Sequence, residues 1–253
     1  VGALTATTGV DLAVTDDVAT IVLARDGRAN ALDEPTVDAL LDAVEEAEAE
    51  QCRLLVVRSG LAQFCGGFDL ESASGASSAE LGWRFLRIGL LLERLQSTAM
   101  LTIAVVDGPA VGAGADLAMA CDVRLGTPRA SLRFPGSAFG IVLGTRRLSA
   151  LVGPAAAVRL ASTGDRLDAD EAVRTGLLDL VVEGEAVDRE IGRIARSATT
   201  RRPATLGALK ASASQQDPSG LADLARSLVT QTDLASAVVR FAHGARPTRR
   251  GTA

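Results

Sequence analysis

"GPAVGAGADLAMACD", residues 108–122, decides how this chain is read. The β-branched, apolar run "LTIAVV" (101–106) precedes it and predicts a strand. Three glycines and an acid then lead into an alanine-rich segment that predicts a helix. Glycine turns between strand and helix bind phosphates, hold nucleophiles or present backbone N–H groups to an oxyanion. A dinucleotide site needs an acid about 20 residues further on, at the end of the next strand. "CDVRLGTPRASLRF" offers only Asp122, which comes too early. A P-loop fails because no GK[ST] follows the turn.

A second turn, "FCGGFD" (64–69), follows another apolar run, "RLLVVRS" (53–59), and it too ends in aspartate. One such turn is explained by tight helix–strand packing alone. Two at the ends of successive parallel strands place small residues where ligands of α/β sheets gather. Small residues let backbone N–H groups approach a carbonyl oxygen that becomes an anion.

The bulk composition narrows the chemistry. Of 253 residues 47% are hydrophobic, enough for a large core, and the net charge is −5. Lys210 is the only lysine, and the one basic cluster, "RPTRRG", is read as a frayed end, so no nucleic-acid partner is expected. Cys52, Cys65 and Cys121 have no CxxC spacing and read as reduced thiols of a cytosolic protein. His243 is the only histidine, which excludes a histidine-rich metal site and leaves Ser-His-Asp or Cys-His chemistry without its base near the turns. The longest apolar runs fall far short of the roughly 20 residues that span a bilayer, so no membrane partner is expected.

Working outward, "VATIVL" (18–23) predicts a first strand. A helix capped by Asp33, with Pro35 in its first turn, follows. A bulky stripe of Leu81, Phe85, Ile88, Leu91, Leu92 and Leu95 predicts a helix over 79–96, and "SASGASSAE" (72–80) reads as a mobile loop. "DVRLGT" is the fourth strand; beyond 144 the chain turns mostly helical, with starts at Pro154, Asp168 and Pro203 and a connection at 211–220. Strand–helix–strand repeats imply an α/β fold with parallel pairing.

Taken together, these motifs resemble the crotonase, or enoyl-CoA hydratase/isomerase, family. "IVLARDGRANALD" is similar to its first strand and N-A-L loop, and "FCGGFDL" to its F-x-x-G-x-D-L segment. "DGPAVGAGADLAMACDVRL" is similar to its long glycine signature. "RLSALVGPAAAVRLASTGDRLDADEAVRTGLLDLVV" is similar to the stretch ending in A-x-x-x-G-L-V. The resemblance implies a spiral of ββα units over residues 1–195 and a helical C-terminal region over 196–253 used in trimerisation, giving a homotrimer or a hexamer of paired trimers.

It also implies a function. The substrate would be an acyl-CoA thioester, with coenzyme A entering as part of it and no separate cofactor. Its carbonyl oxygen would sit between the N–H groups of Gly66 and Ala113, where losing one donor typically costs about 2.7–4 kcal/mol of barrier. Asp116 would be the acid/base; a charge near a helix start is the competing reading. Arg28 matches a position that often holds coenzyme A, against a plain surface arginine. Phe68 and Leu70 would line the acyl or pantetheine path, against burial in the core. Ala29, Cys65, Gly67, Asp69, Val111, Gly112, Pro135 and Gly136 complete the implied substrate-contact set.

Departures fall on the chemistry. Gly136 stands where the second glutamate of hydratases belongs, and glycine neither gives nor takes a proton. Asp116 is one methylene shorter than the usual glutamate. "GIVLGTRRL" is about three residues short of the family's loop, and "HGARP" lacks the lysine used near coenzyme A phosphates. Arg133 and Ser137 lie near the gap and are candidates to supply a missing function, against the simpler reading of a solvent-facing or loop-capping role. Hydration by a carboxylate pair is therefore doubtful, while proton transfer alpha to a thioester or decarboxylation remains open. The rival is a non-catalytic crotonase-like subunit that binds acyl-CoA or a partner protein. A Clp-like serine protease is dropped for want of a histidine near the turns.

Overall fold

The computed structural model describes residues 8–201, 203–213, 219–231 and 233–244. The basic end expected to fray, 246–251, lies outside them, as do residues 214–218 of the connection expected at 211–220.

A six-stranded sheet, in the order β1-β2-β3-β4-β6-β9, forms the centre. Its strands are β1 (Val10–Thr15), β2 (Val18–Leu23), β3 (Leu54–Ser59), β4 (Leu101–Val106), β6 (Val123–Gly126) and β9 (Leu180–Val181). Pairing is parallel from β2 through β9. The exception is β1, an antiparallel hairpin partner of β2 that the sequence reading passed over. A smaller sheet joins β5 (Pro109–Val111), β7 (Ser131–Arg133) and β8 (Arg166–Asp168), strands too short to stand out by periodicity.

The strands read as continuous apolar runs because both faces of the sheet are covered. Leu55 and Val57 of β3 and Ala104 and Val106 of β4 join the main core beneath α1 (Glu34–Ala49) and α2 (Ser78–Ser97). Their alternates, Leu54, Val56, Ile103 and Val105, enter a second cluster with Val187 and Ile194 of α7 (Ala186–Thr199). One residue of register slip would exchange these two sets, so the packing pins the register.

Caps set the helix starts. Asp33 accepts from the Thr36 N–H at 3.0 Å, as its position ahead of Pro35 predicts. Ser77 and Glu80 form a capping box, so α2 begins inside the stretch expected to be a loop; the box satisfies amides that small polar residues alone would leave to water. Asp168 and Glu171 cap α6 (Ala169–Arg174) in the same way.

The remaining elements surround the glycine turns: α3 (Ala113–Met119), a 3₁₀ turn (Pro135–Phe139), α4 (Thr145–Val152) and α5 (Pro154–Thr163). Three helices follow α7: α8 (Pro203–Ala213), α9 (Ser219–Thr230) and α10 (Leu234–Gly244). Lys210 of α8 anchors this region, donating to the Met100 carbonyl at 2.8 Å and pairing with Asp122 at 2.7 Å. Among the described residues no helix is long and apolar enough to cross a membrane.

Candidate active site

The two glycine turns interlock. Gly67 has φ +81°, and a Cβ there would lie 2.3 Å from the Val111 carbonyl oxygen and 3.1 Å from the Ala113 nitrogen. Gly114, in the first turn of α3, would bring a Cβ to 2.2 Å from the Cys65 carbonyl oxygen. No side chain fits at either contact, so the glycines are what let the turns meet.

The meeting point corrects one expectation. The Gly66 N–H donates to the Ala29 carbonyl at 2.8 Å and is not a free donor. Ala29 and Asn30, both at positive φ, carry that carbonyl beneath the turn. Two residues on, the pattern reverses. Leu32 pairs with the turn through the Gly67 carbonyl (2.7 Å) and the Asp69 N–H (3.2 Å). In extended chain successive residues point their N–H groups to opposite sides. The Phe68 N–H therefore faces away from Leu32, toward the Val111–Ala113 segment. Neither it nor the Ala113 N–H, at the start of α3, makes a hydrogen bond among the described residues. Phe68, not Gly66, supplies the free amide of the first turn.

Both amides border an apolar cavity of about 410 Å³. Of the residues singled out in the sequence, Gly66, Phe68, Leu70, Val111, Gly112, Ala113, Asp116, Arg133, Pro135, Gly136 and Ser137 line it. Arg28, Ala29, Cys65, Gly67 and Asp69 do not. Arg28 is half exposed and paired with Glu71. The Cys65 thiol donates to the Asn30 carbonyl at 3.0 Å, and burial pushes it up to about 12. Asp69 is paired with Arg25 at 2.8 Å.

Among the described residues Asp116 is the only carboxylate lining the cavity. Burial pushes its pKa up to about 7, and the Arg147 guanidinium draws it only part of the way back. A Cβ on Gly144 would fall 1.7 Å from the Asp116 Oδ1, so a glycine at the start of α4 makes room for the carboxyl. The nearest atom to a Cβ on Gly136 would be the Ile141 carbonyl oxygen at 3.7 Å, so the space beside this glycine is open. Arg133 Nε donates to the Gly164 carbonyl at 2.6 Å, and the Ser137 hydroxyl to that of Ala161; both hold the loop. Among the described residues no three His, Cys, Asp or Glu side chains cluster to hold a metal ion.

The family model described as enoyl-CoA hydratase/isomerase matches residues 14–237. The chain belongs to the enoyl-CoA hydratase/isomerase family. Among its relatives, a probable enoyl-CoA hydratase of Mycobacterium tuberculosis is 34% identical over 184 residues, 70% of this chain and 74% of that protein. A crotonyl-CoA hydratase of Syntrophomonas wolfei is 33% identical over 188 residues, 71% of each. A solved candidate enoyl-CoA hydratase/isomerase from Bordetella parapertussis superposes with a TM-score of 0.89 at 34% identity. The match covers 94% of this chain and 99% of that one.

Within this family member, sequence reasoning missed Gly144, Arg147 and four aromatic lining residues, Phe85, Phe134, Phe139 and Phe241. Gly144 carried a faint signal as a glycine before a T-R-R-L helix. Phe241, more than a hundred residues from either turn, carried none.

Proposed function

We propose that the chain processes acyl-CoA thioesters by holding an enolate oxygen between the N–H groups of Phe68 and Ala113, with Asp116 moving the proton. The observation that carries this reading is the pair of amides beside Gly67, unpartnered among the described residues, at a cavity whose one described carboxylate is Asp116. A carboxyl with a pKa near 7 is divided between base and acid at neutral pH, which suits proton removal and return by one group.

In isomerisation Asp116 takes a proton from the acyl chain, the C–H electron pair passes into the enolate, and the carboxylic acid returns the proton at the other end of the allylic system. In decarboxylation of a 2-carboxyacyl thioester the C–C pair enters the enolate, carbon dioxide leaves, and Asp116 supplies the proton. Hydration needs a second group to handle water, and Gly136 offers none. No cofactor is required beyond the coenzyme A that the substrate carries.

Butyryl-CoA incubated with the protein in heavy water tests the proposal. Deuterium uptake at Cα, lost in Asp116→Asn, is the expected result. Binding of the thioester without any uptake overturns catalysis in favour of an acyl-CoA-binding subunit.

Assembly as a trimer or paired trimers through the C-terminal helices belongs to the same reading. Leu209, Val229 and Val239 of α8, α9 and α10, exposed in the single chain at 59%, 82% and 40%, support it. A cytosolic setting fits three buried cysteines with no disulfide among them.

A further inference from the structure

We infer that Phe241 of α10 closes the end of the cavity remote from the glycine turns and so limits the length of acyl group that the site accepts. This rests on the acyl-CoA reading above. Four of the six phenylalanines form one row of rings along the cavity wall. Phe68 stacks on Phe85 with centroids 4.3 Å apart and planes at 17°. Phe85 meets Phe139 at 5.7 Å, and Phe139 meets Phe241 edge-on at 5.2 Å. The row begins at Phe68, whose N–H has no partner among the described residues, and ends, three ring contacts away, at Phe241.

Phe241 lines the cavity and is half-buried, while His243 and Gly244, further along α10, are exposed, so α10 passes from the cavity wall to the surface here. The closure is fixed to the rest of the site. Gln231 Nε2 donates to the Phe139 carbonyl at 2.9 Å, and the Ser227 hydroxyl accepts from the Val142 N–H at 3.3 Å. At its first turn α10 is held to α2, where the Ala235 N–H donates to the Ser78 hydroxyl at 3.3 Å. Phe139 is thus gripped by the C-terminal region at its backbone and its ring. Rings held by neighbouring rings lose little freedom when a ligand packs on them. An acyl chain with its carbonyl at the two free amides runs along a wall of rings, gaining contact with each methylene until it meets Phe241.

The test is calorimetric binding of saturated straight-chain acyl-CoAs, from butyryl to palmitoyl, to the wild type, Phe241→Ala and Phe241→Trp, with free coenzyme A as reference. In the wild type affinity rises with length and then falls by about tenfold or more past a limiting chain, the discrimination typical of a filled apolar pocket. Phe241→Ala moves the limit to longer chains and Phe241→Trp to shorter ones, while free coenzyme A binds all three alike. Phe241→Trp keeps an aromatic ring against Phe139, so it carries the test if the alanine variant loosens α10. Superimposable length profiles, or a wild type with no limit, overturn the inference and leave the acyl-CoA reading standing. A wild type that binds acyl-CoAs no better than free coenzyme A overturns both.

Discussion

Each glycine turn ends in a buried aspartate, Asp69 at 3% exposure and Asp116 at 7%, yet the two carboxyls are shifted in opposite directions. Burial pushes Asp69 upward as well. The Arg25 guanidinium and the amides of Ser72 and Glu71 outweigh it and hold that group below the ordinary carboxylate range. Arg25 also reaches Asp33 at 2.5 Å and the Ala31 carbonyl at 2.8 Å, binding the first turn to the start of α1. Asp116 has no such set of donors and faces an apolar cavity. Burial does not by itself make a carboxyl reactive; partners decide. The first turn spends its charge on architecture and leaves one free amide, and the second delivers the titrating group.

The sharpest break of this comparison is Asp116→Asn. It keeps the shape and removes the carboxyl proposed to carry the proton, so Cα deuterium uptake should fall by about 10²–10⁴-fold. Asp69→Asn should instead fail on stability. Removing one partner of a buried ion pair costs about 3–5 kcal/mol, less whatever Asp33 retains, as a denaturant melt of the variant would show. Equal losses of uptake in two folded variants would erase the distinction between the turns.

A smaller effect separates them by pH. Asp116 has its pKa raised from 3.8 to about 7 on folding, so between those values the folded chain binds the extra proton. Its contribution to stability is therefore complete below pH 3.8 and lost as pH rises to about 7, by at most about 4 kcal/mol at about 1.4 kcal/mol per pH unit. Asp116→Asn should remove that slope and be the more stable protein at pH 8. Asp69, with its pKa lowered, has the opposite sign, since its contribution is lost as pH falls through the acid range. Melting curves of the two asparagine variants across pH 3–8 measure both slopes.

The mildest change is Gly136→Glu. A side chain there starts in open space, with its nearest neighbour at 3.7 Å, so the fold should tolerate it. With a second carboxylate opposite Asp116, hydration of crotonyl-CoA should become detectable above the wild type. No gain in a folded variant would mean that the shorter reach of Asp116 or the trimmed loop, and not Gly136 alone, blocks that chemistry.

Much of the scaffold could be read from residues that act locally. Pro35 after Asp33, the leucine stripe of α2 and the unbroken apolar runs of β3 and β4 each declare their element, because capping and burial leave their marks within a few positions. β1 and the three-stranded sheet were not legible, since short edge strands gain their identity from the partner beside them. The glycine pattern also pointed to Asp116 and Ala113, which the structure sets on the cavity wall. The choice between Gly66 and Phe68 was not legible, because it turns on which way an amide points.

The order of residues alone determined the family, the two glycine turns and the presence of a glycine, with no side chain to move a proton, at position 136, all matters of which group stands where along the chain. Tertiary structure decided the rest. It occupied the Gly66 N–H with the Ala29 carbonyl, freed that of Phe68, and set Gly144 against Asp116. It also brought Phe241 to the cavity from the far end of the chain. Hydrogen-bond direction and the pKa of a buried acid depend on neighbours distant in sequence, and only the folded chain brings those neighbours together.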